Sequence, residues 1–408
     1  MKRLFAPLII FSVLLTGCLQ DEVLQTYTFF RPVYKTSEQA RAEIRSYPAE
    51  DIRQPGKIYY KDGYVFLNDL HRGIHVIDIR NAAQPKRVSF IKIPGCVDMA
   101  VRNSILYADM FTDLVAIDIT DPLNIRRTHI AESAFPENYY NGYLPPKGQV
   151  ITDWIRVDTS ILQKDYANWF GTMKEANVLF SMSALRTTAG NGTGGSMARF
   201  ALAADRLYTV SQSNLNVFNV NVAEKPTMIG KAQIGWDIET IFPYKQNLFI
   251  GSMTGMYIFD ITNKDQPIQK GRFDHARVCD PVVADDQFAF VTLRNGNECQ
   301  GFINQLDVVD VTNITKPSLV KSYPMTNPHG LSKDGNLLLI CDGKDGLRIL
   351  DAQNPRDIKP VSMLKGMNAY DVITLGGIAI VTATDGLYLI DYRNPANPVI
   401  ASTIRINI

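Results

Sequence analysis

Four aspartates are the first residues whose placing suggests chemistry: Asp98, Asp237, Asp280 and Asp371. Each stands ahead of an apolar run, as in Asp98-Met99-Ala100-Val101, Asp237-Ile238, Asp280-Pro281-Val282-Val283 and Asp371-Val372-Ile373. A pair of such carboxylates about 5–10 Å apart in a cleft would act as acid and base on a glycan, with Glu239 as a further candidate. A ring of them would suit calcium, a hard cation that takes several oxygen ligands. Neither use is compelled. A ring drawn from four separate segments is wide for one ion, and a carboxylate at a strand start has a simpler task in accepting backbone N–H groups. The sequence therefore requires no metal or cofactor, and calcium is the candidate if one is held.

Other reactive types are sparse. His71, His275 and His329 fall between strand-like runs, with no His-x-x-x-His or Glu-x-x-His pair to start a zinc site. No Ser-His-Asp order or Cys-His pair is legible. The stretch Gly190-Asn191-Gly192-Thr193-Gly194-Gly195 lacks the Lys-Ser/Thr ending of a phosphate loop and leads into a strand. Arg199, just beyond it, offers a fixed positive fork. Residues 136–197 are rich in aromatics, Trp154 and Trp169 among them, and Trp236 lies farther on. Aromatic side chains on loops stack on sugars or anchor protein partners. The candidate ligand-binding residues are Trp154, Trp169, Arg199, Trp236, His275, His329 and Tyr370. Net charge is +1, with no basic stripe, so nucleic acid is not an expected partner.

The elements that must position these residues repeat. Gly73-Ile74-His75-Val76-Ile77-Asp78 is an apolar run closed by Asp and followed by a polar turn containing Pro85. The same pattern returns at Asp118, Asn219, Asp260, Asp310, Asp351 and Asp391, most steps being about forty residues, the period of a propeller blade. These marker carboxylates read as Asx-turn formers, because chemistry seldom needs equivalent carboxylates on separate blades. Within each repeat, short β-branched runs bounded by Gly, Asn, Asp and Pro read as four strands. The expected fold is all-β: a seven-bladed β-propeller of four-stranded antiparallel blades, carrying a capping insertion at residues 136–197. A degenerate eighth blade at Gln149–Val157 is the alternative to part of that insertion. The first strand of each blade lines the channel, so Asp98, Asp237, Asp280 and Asp371 would ring one mouth of it.

The N-terminus reads as an address. Met1-Lys2-Arg3 precedes an apolar core from Leu4 to Leu15 that is shorter than the about 20 residues a membrane span needs. Leu15-Thr16-Gly17-Cys18 then resembles the lipobox of bacterial lipoproteins, which implies cleavage of residues 1–17 and lipidation, palmitate included, of Cys18. Residues 18–53 would be a tether containing a short strand and a helix from Thr36 to Ser46, and residues 54–408 the propeller. Asp21 and Glu22 fit either a signal for surface display or a solvated spacer. An oxidising compartment makes a Cys279–Cys299 disulfide the expected staple of an enlarged loop, while Cys96 and Cys341 sit in different repeats and are expected as buried thiols.

The marker repeats resemble the LVIVD-repeat family of bacterial envelope propellers, carried by Val76-Ile77-Asp78-Ile79 and Tyr388-Leu389-Ile390-Asp391 with their Asn/Asp-Pro turns. The resemblance implies a β-propeller and no reaction. The expectation is a non-catalytic binding or scaffold lipoprotein at the outer membrane, meeting an envelope protein or glycan through loops on one face. The alternative is a glycan lyase or hydrolase using the mouth carboxylates.

Overall fold

The computed structural model describes residues 24–138, 145–162, 195–197, 199–275, 281–295 and 303–406. The chain divides into two compact units, Met1–Tyr34 with Ile151–Ser183 and Lys35–Val150 with Ala184–Ile408. In the first, strands Leu24–Thr36 and Gln149–Leu162 pair as a two-stranded ribbon. Thr26 meets Ser160 at 2.8 Å and Thr28 donates to Asp158 at 2.6 Å, which sets the strands antiparallel.

The second unit is a seven-bladed β-propeller. Its blades begin at Pro55, Met99, Phe200, Ile238, Val282, Leu331 and Ala369, and in each the strands pair antiparallel in chain order. The first strands of successive blades lie against one another, and that of blade 7 returns to that of blade 1. Each blade is contiguous in sequence. The Gln149–Leu162 segment is a strand but belongs to the ribbon, so it adds no eighth blade.

The long apolar runs follow from this stacking. A strand inside a blade is covered on both faces by neighbouring blades, so both of its side-chain rows must be apolar. In blade 1, Ile74 and Val76 join the core shared with blade 2, while Val65, Leu67, Ile77 and Ile79 meet Ile373, Ile380, Leu387 and Leu389 of blade 7.

The marker residues work as one device. Each accepts the backbone N–H two residues on: Asp78 from Arg80 (3.0 Å), Asp118 from Thr120 (3.0 Å), Asn219 from Asn221 (2.9 Å), Asp260 from Thr262 (2.7 Å), Asp310 from Thr312 (3.0 Å), Asp351 from Gln353 (2.9 Å) and Asp391 from Arg393 (3.0 Å). These Asx turns bring the carbonyl four residues past the marker towards the preceding blade. Ser402 Oγ donates to Ala82 O, Ser46 Oγ to Pro122 O, Tyr107 Oη to Ala223 O, Tyr208 Oη to Lys264 O, Tyr323 Oη to Pro355 O and Ser362 Oγ to Pro395 O, at 2.5–3.0 Å. At the blade 4–5 junction Gly271 fills the corresponding place, where a Cβ would lie 1.8 Å from Ile314 O.

Two local outcomes differ from the sequence pattern. The helix is Ser37–Ala42, opened by a complete Thr36–Gln39 capping box, and it ends before Ser46. Arg45–Pro48 is instead a strand paired with Lys86–Lys92, giving blade 1 a fifth strand. The edge position suits it, because Pro48, its last residue, then breaks no central ladder.

Candidate functional site

The end of the propeller opposite the marker loops carries the blade-to-blade connections and the turns between second and third strands. There a buried group of charges meets at the channel. Lys57, on the first strand of blade 1, places Nζ 2.8 Å from Asp98 Oδ2, just ahead of blade 2, and the two side chains are 0% and 1% exposed. Asp98 Oδ1 accepts Met99 N–H at 2.7 Å, and Oδ2 also accepts Arg199 N–H at 2.8 Å. Asp109 lies beside them, and its Oδ1 accepts the N–H groups of Val97 and Asp98 at 2.7 and 2.8 Å. Asp371, on the first strand of blade 7, is fully buried; Oδ1 accepts Val372 N–H at 3.0 Å, and Oδ2 has no hydrogen-bond partner among the described residues.

Burial dominates the protonation of this group. It pushes Asp98 up to about 7 against the pull of Lys57, and it pushes Asp371 up to about 7. Burial also lifts Asp109 and lowers Lys57. Three carboxylates here face two cations, Lys57 and Arg199, so full ionisation would leave an excess buried negative charge.

A short strap closes the mouth. Gly195 runs so close to Asp371 that a Cβ would sit 1.9 Å from its Oδ2. Ser196 Oγ accepts Leu331 N–H from blade 6 at 2.8 Å, and Met197 is buried. The chain then reaches Asp98 of blade 2 through Arg199 N–H and enters blade 3 at Phe200. On the far side Gly330 presses against Asp371, with a Cβ there 2.2 Å from Oδ1. Asp98 and Asp371 are thus bound to backbone beneath covering chain.

The remaining sequence candidates scatter. Asp237 is exposed at φ +56° and Glu239 is half-buried. His329 is a core residue: burial lowers it to about 3, Nε2 lies 3.2 Å from Asn327 Nδ2, and its ring meets Tyr370 edge-on at 4.7 Å. His275 is half-buried against Phe273, centroids 6.4 Å apart. Trp154 lies on the ribbon strand of the first unit. Trp236 stands 73% exposed on the connection from blade 3 to blade 4. Cys18, Trp169, Cys279, Asp280 and Cys299 lie outside the described residues, as does most of the Gly-rich stretch. Cys96 and Cys341 are buried free thiols. Among the described residues no three His, Cys, Asp or Glu side chains gather to hold a metal ion. A solvent-open groove between blades 6 and 7 is lined by Lys344, Gly366, Met367, Asn368, Thr384 and Asp385.

Sequence reasoning missed Lys57, Ser196 and a second aspartate set. Asp69, Asp109 and Asp342 each lie within one residue of the end of a second strand and accept N–H groups of their own blade's entry: Gln54 at 2.8 Å, Val97 at 2.7 Å and Asn327 at 2.7 Å. The signal was present in Leu67-Asn68-Asp69, Tyr107-Ala108-Asp109 and Ile340-Cys341-Asp342, an Asp at one blade position. Lys57 had only the weaker signal of a lone cation in an inner strand.

Comparison with known proteins agrees with this architecture. The LVIVD repeat family model matches residues 301–325, which include the marker Asp310 and the last two strands of blade 5. No protein of curated function matches the sequence. Among solved structures, a protein from Lactobacillus plantarum superposes with TM-score 0.55 at 10% identity, over 86% of this chain and 95% of that one. A functionally unknown protein from Desulfotomaculum acetoxidans gives 0.54 at 13%, over 85% and 97%. The periplasmic gluconolactonase of Pseudomonas aeruginosa gives 0.51 at 11%, over 89% and 95%. At such identities the likeness speaks for the fold alone.

Proposed function

We propose that this propeller is a non-catalytic binding scaffold of the bacterial envelope, tethered to the outer membrane by lipid on Cys18, with a protein or glycan as its partner. The observation that carries the reading is the strapped channel mouth. Its carboxylates are buried, bonded to backbone and covered, so recognition falls to the surface around them. Two features there suit a ligand. Trp236 offers a large exposed ring where a buried aromatic would normally pack, and the blade 6–7 groove offers Lys344, Asn368 and Asp385 for polar contacts.

The test is capture from detergent-solubilised native envelopes on three immobilised chains: intact, Trp236→Ser and Lys344→Glu, each first checked for an unchanged cooperative melt. A partner held by the intact chain and lost by either variant supports the scaffold reading and locates its surface. Equal capture on all three removes this face from the proposal. The tether is tested separately, by palmitate incorporation into the full chain and its loss in Cys18→Ser.

A further inference from the structure

The outer strand of every blade has one edge that faces away from the ring. An open edge is a row of unsatisfied backbone donors and acceptors, and proteins normally guard it with charge or proline. Blades 2 to 6 follow that rule: Arg126, Lys231, Arg272, Lys321 and Lys359 lie on their outer strands. Blade 1 is covered instead, by Arg45–Pro48. Blade 7 has neither protection. Residues 399–404 of its outer strand Val399–Arg405 include no charge and no proline, and no strand among the described residues pairs with the edge. The strand opens on Val399 and Ile400, which are 57% and 43% exposed. Its one charge, Arg405, is turned back onto its own blade, where it meets Asp385 and lies over the Tyr388 ring at 5.3 Å.

Blade 1 shows how such an edge is filled. Ile93 N–H donates to Arg72 O at 3.1 Å. Bonding alternates along an antiparallel ladder, so Phe90 and Lys92 turn their backbone groups outwards, and these are the residues opposite Tyr47 and Arg45. On blade 7, Ile406 N–H donates to Asp385 O at 3.0 Å, and the same alternation turns Thr403 and Arg405 outwards. Both outer strands carry a bulge near their start, and blade 1 takes its added strand beyond that bulge. The blade 7 edge thus has the backbone geometry of the filled edge without the strand that fills it.

We propose that this edge pairs with the same edge of a second copy of the chain, antiparallel, joining two four-stranded blades into one sheet about a two-fold axis at Thr403. In that register Thr403 exchanges both backbone hydrogen bonds with its own copy, a Thr–Thr pair that neighbouring strands favour. Ser402 lies opposite Ile404 of the second copy. Arg405 falls beside the bulge at Ala401 of the second copy, so no charge meets its like. Val399 and Ile400 of each copy lie against the end of the other's strand and lose their exposure. The outer strands of blades 3 and 4 could not do this, because Lys231 and Arg272 would stand close to their own copies.

This inference does not depend on the scaffold reading, and sedimentation of the full-length chain in detergent tests it, the detergent mass being subtracted. Wild type should pass from monomer to dimer as concentration rises. Residue 403 faces its own copy, so Thr403→Lys and Thr403→Glu should each weaken association about fivefold, as like charges directly opposite do. An equimolar mixture of the two should recover it. Each variant is first checked for an unchanged cooperative melt. Where either fails that check, Thr403→Pro replaces it; it removes only an outward N–H and should leave the chain monomeric. Wild-type chain that stays monomeric up to its solubility limit overturns the proposal. A dimer undisturbed by these variants, or a mixture of Thr403→Lys and Thr403→Glu that associates no better than either alone, overturns the pairing at Thr403.

Discussion

The two ends of the propeller use aspartate in opposite ways. At the marker end one side-chain acceptor is repeated blade after blade, an Asp in all but blade 3, and hydrogen bonds hold Asp78, Asp118, Asp260, Asp310 and Asp391 charged. Asp78 and Asp391 lie below the usual carboxylate range chiefly through Arg80 and Arg393, and Asp391 reaches about 2. Asp118, Asp260 and Asp310 are lowered chiefly by the hydroxyls of Thr120, Thr262 and Thr312. At the channel end Asp98, Asp109 and Asp371 differ in setting, are sealed from water, and are raised by burial. Repetition marks the device that builds the ring. At the channel end it is Lys57, a cation with no echo in the other blades, that departs from repetition.

The largest contrast should come from the pair itself. Lys57→Met leaves Asp98 buried without its cation, and breaking such a pair costs about 3–5 kcal/mol. The double variant Lys57→Met with Asp98→Leu should recover much of that loss. Urea unfolding of the singles and the double forms the cycle. A double variant as weak as the single would mean that the channel end needs its charges for more than mutual compensation. At the marker end the matching test is steric. Gly271→Ala would place a Cβ 1.8 Å from Ile314 O, and overpacking against backbone should cost about 1–3 kcal/mol. The same change at Gly335, where a Cβ meets nothing within 4 Å although φ is +55°, should be milder. Equal losses at both positions would remove the blade junction from the explanation.

The pH dependence separates the ends by sign. Asp371 is raised to about 7, so the folded state binds its proton more tightly than the unfolded chain does. Its contribution is complete below the ordinary carboxylate pKa of about 4 and is lost as pH rises towards 7, with no further change above. Asp391 behaves in reverse: its contribution is present above about 4 and is lost as pH falls towards 2. Asp98 is raised to about 7 as well and shares the decline, so denaturation midpoints from pH 3 to pH 8 should show a weakened neutral-side decline in Asp371→Asn and an unchanged one in Asp391→Asn. A decline undiminished in Asp371→Asn would assign it wholly to Asp98 and the other buried groups.

How much of this was written in the sequence follows the same division. The blades were legible because each imposes one pattern: two apolar rows, a closing Asp, a Pro-bearing turn. The marker role was legible because Asn219, which cannot serve as a carboxylate base, stands where the others have Asp and makes the same turn. The channel cluster was half legible. Asp98 and Asp371 were singled out by position, but Lys57 was not, since a single Lys in an inner strand has no echo in other blades. The strap was legible only as a Gly-rich stretch leading into a strand, because its contacts depend on Leu331 and Asp371, far along the chain. The helix was drawn too long because Tyr47 and Pro48 act through an edge pairing with Lys86–Lys92 that no local pattern reports.

The smallest expected effect discriminates most finely between a turn former and a carboxylate with a task. Asp310 accepts Thr312 N–H at 3.0 Å and Oγ1 at 2.6 Å with one oxygen. An Asn side chain can present that same oxygen, as Asn219 does to Asn221. Asp310→Asn should therefore change stability by no more than a few tenths of a kcal/mol, within the range of a neutral surface substitution. Asp310→Ala removes the acceptor and should cost about 1 kcal/mol, as loss of a comparable local side-chain-to-backbone bond does. Thermal melts of the two variants in parallel read the difference. If Asn were as costly as Ala, the negative charge would be the working feature at the marker position, and the two ends of the propeller would be less different than their geometry makes them. If Asn is silent and Ala is not, the repeated aspartate is an acceptor for one N–H in each blade, and the search for chemistry belongs at the other end of the ring.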